Sequence, residues 1–200
     1  LVFDIYSFEL CMLMAKSSTL VVIPEHLSAF PASILKILEE HKVTFLFWVP
    51  TIMVNIANMD LLSSIQLPAL KTVWFAGEVF PTKQFNYWRK MLPQTTFANL
   101  YGPIEITLDC TCFIVNREIK DEESIPIGFP CRNTDILILD ADNKLVAEAG
   151  KEGELCVRGT SLAMGYYNNP EKTASAFVQN PLNHAYPETI YRTGDVVVIN

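Results

Sequence analysis

Val43-Thr44-Phe45-Leu46-Phe47-Trp48-Val49, followed by Pro50-Thr51, is the stretch that sets the architecture. Its apolar residues run on without the alternation of a half-exposed strand, so the segment reads as a strand covered on both faces. Proline suits the first turn of a helix because its φ is already helical and its missing N–H is not needed there. A helix carrying Val54, Ile56 and Met59 therefore follows directly. Outward from this point the pattern repeats. Thr19–Ile23 reads as a buried strand and Phe30–Lys42 as a helix, with Ile34, Leu35 and Leu38 on one face. Leu70–Phe75 is a strand closed by Gly77, Pro81–Leu92 a helix, and Thr95–Leu100 another strand. Apolar strands alternating with helices imply a layered α/β fold with a parallel sheet, whose ligands sit at the carboxyl ends of the strands.

Past residue 120 the texture changes. Asp121-Glu122-Glu123 forms a charged joint. Short strands follow at Asp135–Leu139, Lys144–Ala147 and Gly153–Gly159, with a turn at Asp140–Asn143 and one helix near Glu171–Phe177. This is the pattern of a small β-rich module. The expected organisation is a parallel-sheet α/β part over residues 1–120 and a β-rich, distorted-barrel part over 121–200.

Of the 200 residues, 50% are hydrophobic and 18% charged, which is enough apolar material for a packed core. The net charge of −7 opposes non-specific nucleic-acid binding. No apolar run approaches the ~18 residues of a membrane span, and Leu1 opens the chain with no basic leader. Both ends read as cut from a longer protein. The five cysteines (Cys11, Cys110, Cys112, Cys131 and Cys156) are irregularly spaced among apolar residues, as reduced core thiols of a cytoplasmic protein would be. His26, His41 and His184 show no ligand spacing.

Four segments carry chemistry: Phe3-Asp4-Ile5-Tyr6-Ser7-Phe8-Glu9-Leu10; Asn99-Leu100-Tyr101-Gly102-Pro103-Ile104-Glu105; Gly153-Glu154-Leu155-Cys156-Val157-Arg158-Gly159 running on to Gly165-Tyr166; and Tyr191-Arg192-Thr193-Gly194-Asp195. In order and approximate spacing they resemble the adenylation domains of nonribosomal peptide synthetases and the D-alanine–carrier-protein ligases, within the acyl-CoA synthetase and luciferase superfamily. The resemblance covers nearly the whole chain and implies ATP-dependent activation of an amino acid to aminoacyl-AMP, with Mg²⁺. Transfer to the phosphopantetheine thiol of a carrier protein or domain would follow.

The resemblance assigns roles residue by residue. The turn Gly77-Glu78-Val79 lies along adenine, Tyr101 stacks on it beside Asn99 and Gly102, and Asp195 binds the ribose hydroxyls. Glu105 is the catalytic carboxylate that holds Mg²⁺, a hard ion that prefers oxygen. Asp4 pairs with the substrate ammonium, although its place before an apolar helical run also makes it a helix N-cap. The side-chain pocket maps onto Ile5, Phe8, Phe47, Trp74, Ala76, Leu100, Leu108 and Asp109, which points to a small or medium apolar side chain. The turn Gly77–Pro81 also looks like the D-alanine ligases, so D-alanine stays open as substrate. Ile104 departs from the family pattern, which has threonine there; the lost hydroxyl removes a phosphate contact worth about 1.5–3 kcal/mol.

The family's phosphate loop and its C-terminal lysine have no counterpart in these residues, so the 200 residues alone are expected to be inactive. Two other readings stay open: an acyl-CoA synthetase-type ligase for a non-amino acid, and a degenerate, non-catalytic scaffold module.

Overall fold

The computed structural model describes residues 4–200. The motif residues from Phe3 backward lie outside the described residues. The chain divides into two compact units. One runs through Tyr101 and resumes over Cys112–Gly128; the other comprises Gly102–Thr111 and Phe129–Asn200.

The first unit holds helices α1 (Ile5–Lys16), α2 (Pro31–Glu40), α3 (Pro50–Asn58) and α4 (Thr82–Met91), with strands β1 (Phe45–Trp48), β2 (Thr72–Phe75), β3 (Thr96–Tyr101) and β4 (Thr111–Ile114), the last beginning at the boundary between units. The strands stand in the order β1-β2-β3-β4. β1, β2 and β3 are parallel, with Trp48 level with Phe75 and Phe75 level with Asn99. Alternation along the strands sorts side chains to two faces. Leu46, Val73, Phe75 and Phe97 join Met53, Ile56, Phe80, Phe85 and Trp88 in one buried core. There Phe75, Phe80 and Phe85 meet with ring centroids 5.1–5.6 Å apart, mostly edge to face. The Trp88 indole N–H, fully buried, donates to the Met53 carbonyl at 2.9 Å, which satisfies the one polar atom of that ring. The opposite face carries Phe45, Phe47 and Trp74, and Phe8 of α1 packs against all three.

The second unit contains β5 (Phe129–Pro130), β6 (Thr134–Leu139), β7 (Glu152–Gly159), α5 (Pro170–Ala176), β8 (Phe177–Gln179) and β9 (Thr189–Val198). Its sheet is a curled antiparallel half-barrel ordered β6-β7-β9-β8. Leu139, Cys156 and Ile190 form its core with Leu137 and Val178. The fold is thus mixed α/β with a partly parallel sheet, followed by a β-rich module.

Two expected strands are absent. Thr19–Ile23 has no strand pairing, and Val22 is 75% exposed. An apolar run becomes a strand only when a sheet edge takes up its backbone groups, and periodicity cannot report whether one does. Lys144–Ala147 is reduced to one bridge, Leu139 to Leu145. Asp140 explains this: its carboxylate accepts from Asp142 N and Lys144 N, so a side chain takes up N–H groups that a ladder would use. β4 and most of β9 lack a clear sequence signal, since both mix apolar and polar residues.

Candidate functional site

In the first unit the strand register builds one edge. Gly77 and Tyr101 each lie two residues beyond the Phe75–Asn99 pair, so they leave neighbouring parallel strands at the same carboxyl end. Gly77 has φ +88°, a left-handed conformation in which other residues are strained. Val79 beside it is 91% exposed. Glu78 has a structural task as well: its Oε2 accepts from Thr51 N at 2.9 Å and from the Thr51 hydroxyl. Asn99 is buried, and its amide donates to the Pro126 carbonyl at 2.8 Å, so one of its side-chain groups holds the fold.

Several residues expected to line an acid pocket come together here. Phe8, Phe47 and Trp74 pack ring against ring, with centroids 5.1–5.9 Å apart. Ala76 and Leu100 are buried at the ends of β2 and β3. Ile5 is half-buried in the first turn of α1. Asp4 directly precedes α1, and its side chain makes no capping bond to the helix. Instead its carbonyl accepts from Ser7 N and Oγ.

In the second unit Glu105 sits in the single 3-10 turn Ile104–Ile106. The carbonyl of Glu105 accepts from Ala163 N at 2.8 Å, and its Oε1 accepts from the Tyr166 hydroxyl at 2.5 Å. The Tyr191 hydroxyl lies 3.5 Å from that of Tyr166. Burial, then the Tyr166 hydrogen bond and the Glu105 charge, push the Tyr191 phenol well above its ordinary range, so it stays neutral. Ile104 beside Glu105 is 60% exposed. Thr107 and Leu108 follow with φ +57° and +83°. Two successive non-glycine residues in this region cost roughly 1–3 kcal/mol each, a strain that concentrates at functional loops. Asp109 and Cys110 then lead inward to β4.

Asp195 belongs to a bulge. Cys156 pairs with Arg192 but Glu154 pairs with Val196, so β9 carries two extra residues opposite β7. Glu154 organises this turn: one carboxylate oxygen takes the Arg192 guanidinium and the other accepts from Gly194 N at 3.1 Å. The bulge exposes Asp195, whose backbone N–H is tied to Thr193 Oγ1. Glu154 and Tyr166 lie inside a motif readable in the sequence, but their partners are 38 and 61 residues away, so no local signal assigned them a task.

No group of three or more carboxylates, imidazoles or thiols suited to a metal occurs among the described residues. No helix among them is long and apolar enough to cross a membrane.

The family profile described as AMP-binding enzyme matches residues 1–167. The chain belongs to the AMP-binding enzyme family. Within that family it is 31% identical to zwittermicin A synthase ZmaJ of Bacillus cereus, covering 98% of this chain and 38% of the relative. It is 32% identical to tyrocidine synthase 3 of Brevibacillus parabrevis over 97% of this chain and 3% of that one. Among solved structures, CmiS6 superposes with a TM-score of 0.88 at 29% identity, covering 98% of this chain and 47% of CmiS6. The nonribosomal peptide synthetase FmoA3 gives 0.87 at 27% identity, covering all of this chain and 21% of FmoA3. The chain therefore spans less than half the length of these relatives. Its kinship is with adenylation domains of nonribosomal peptide synthetases.

Proposed function

We propose that this chain supplies the acid pocket and part of the nucleotide site of a domain that activates an amino acid with ATP, releasing pyrophosphate and forming aminoacyl-AMP. The acyl group then passes to the phosphopantetheine thiol of a carrier protein or domain. One observation carries the reading. Asp4 stands at the start of the helix whose Phe8 packs on Phe47 and Trp74. A carboxylate beside an aromatic wall is a partner for an ammonium next to an apolar side chain. The filled aromatic wall favours a small or medium side chain, with D-alanine among the candidates.

The other residues fit the same chemistry. The Gly77–Val79 turn and Tyr101, at one sheet edge, would take the two faces of adenine, and exposed Asp195 would accept from the ribose hydroxyls. Glu105 is the carboxylate suited to Mg²⁺, which is commonly held by one or two carboxylates plus substrate phosphates and water. When bound, the ion would offset phosphate charge as pyrophosphate leaves. Catalysis here is mainly positioning and charge stabilisation. The chain spans less than half the length of its relatives, and on this reading the 200 residues alone turn over negligibly.

Amino-acid-dependent exchange of pyrophosphate into ATP by the intact protein tests this, with each amino acid and D-alanine compared to its deaminated analogue and with Asp4→Ala alongside. Exchange with one amino acid, lost for its analogue and in the variant, is expected. Equal exchange with the deaminated acid would make the protein an acyl-CoA synthetase-type ligase instead.

A further inference from the structure

We infer that Tyr166 makes Glu105 a one-oxygen ligand and thereby sets which divalent cation the site accepts. The inference rests on the reading of Glu105 as the metal carboxylate. Glu105 is held twice: its carbonyl by Ala163 N, and its Oε1 by the Tyr166 phenol at 2.5 Å. The Tyr166 phenol takes one of the two lone-pair directions of Oε1, which leaves Oε2 the less encumbered oxygen for a cation.

Tyr166 is itself fixed from several sides. Its N–H donates to Thr173 Oγ1 at 2.9 Å. The Lys172 ammonium lies 3.9 Å from its ring centroid, and the Phe177 ring meets it edge-on at 5.9 Å. Gly165 permits this close seating, since a Cβ there would stand 2.4 Å from Thr173 Cγ2. So many contacts on one tyrosine hold its hydroxyl in place before any ligand arrives, which is how a positioning residue acts.

The consequence follows from coordination chemistry. Mg²⁺ needs near-octahedral geometry at about 2.0–2.1 Å and is satisfied by single carboxylate oxygens, water and phosphate. Ca²⁺ takes roughly 6–8 ligands at longer range and often uses both oxygens of one carboxylate. A carboxylate with one oxygen occupied by a phenol therefore suits the smaller ion and withholds a ligand from the larger one.

The test uses the intact protein, an unreactive ATP analogue, and Mn²⁺ as a spin probe followed by electron paramagnetic resonance. Mg²⁺ and Ca²⁺ are then titrated to displace it. Tyr166→Phe keeps the ring contacts and removes only the hydroxyl. The preference for Mg²⁺ over Ca²⁺ is expected to fall about tenfold in this variant, the scale of one hydrogen bond to a charged group. Thr173→Ala, which releases the Tyr166 N–H, shifts the preference the same way by a smaller factor and serves if Tyr166→Phe does not fold. Glu105→Gln separates the two ideas. If it binds Mn²⁺ as tightly as the unsubstituted protein, the metal reading of Glu105 fails and this inference with it. If it loses Mn²⁺ while the ion preference of the Tyr166 and Thr173 variants stays put, the inference about Tyr166 alone is overturned.

Discussion

Thr51 donates both its backbone N–H and its hydroxyl to one oxygen of Glu78, 27 residues away. Thr51 is the second residue of α3, where N–H groups have no partner inside the helix. Val49, at the capping position, offers no side-chain oxygen, so Glu78 caps the helix from a neighbouring turn. The negative charge also suits the positive end of the helix dipole. Glu78→Ala should lower stability by about 1 kcal/mol, or a melting temperature by about 2–4 °C in a protein of this size. Glu78→Gln, which keeps an acceptor, should retain most of it. Thermal melting of both variants checks this; equal melting of all three proteins would remove the capping role.

Gly102 carries a different kind of constraint. A Cβ on it would stand 2.3 Å from the Leu108 carbonyl oxygen and 2.5 Å from Asp109 Cα, both backbone atoms. These are the residues of the strained loop after Glu105, so the clash cannot be relieved by turning a side chain. Gly102→Ala should cost roughly 3 kcal/mol. Gly150→Ala, where nothing lies within 4 Å but φ is +79°, should cost only about 1–2 kcal/mol. Urea midpoints of the two variants give the comparison; a milder effect at Gly102 than at Gly150 would contradict it.

The Arg158–Glu188 pair gives the half-barrel an acid-sensitive tie. Hydrogen bonds from Asn180 and Asn183, with the Arg158 charge, hold the Glu188 carboxyl below its ordinary 4.5, against a smaller opposing effect of burial. A depressed folded-state pKa contributes stability that is fully present above the unfolded value and lost as pH falls through the folded one. Glu188→Gln should therefore melt below the unsubstituted protein at pH 7, and the gap should close as pH drops below about 4.5. A gap unchanged down to pH 3 would show that the charge of Glu188 is not what matters.

How much of this was legible in the sequence depends on how local each cause is. Val43–Val49 and Pro50 announced β1 and α3 because burial on both faces and the fixed φ of proline act within a few residues. The parallel sheet followed from the same repetition. Thr19–Ile23 misled because its apolar content is local while a partner edge is not. The motif residues were visible as a set, and Phe8, Phe47 and Trp74 do meet in one cluster. What holds the motifs in shape was hidden. Tyr166 on Glu105, Glu154 on Arg192 and Gly194, and Glu78 on Thr51 all join positions far apart in the chain.

We propose that the intact protein activates an amino acid through Glu105. The most direct test is exchange of labelled pyrophosphate into ATP, with and without amino acid, in the unsubstituted protein and in Glu105→Ala. Exchange that needs one amino acid and drops at least about a hundredfold in the variant is the predicted result, the scale of losing a charge-stabilising group at the reacting phosphate. No exchange with any amino acid, or exchange indifferent to Glu105, would contradict the account.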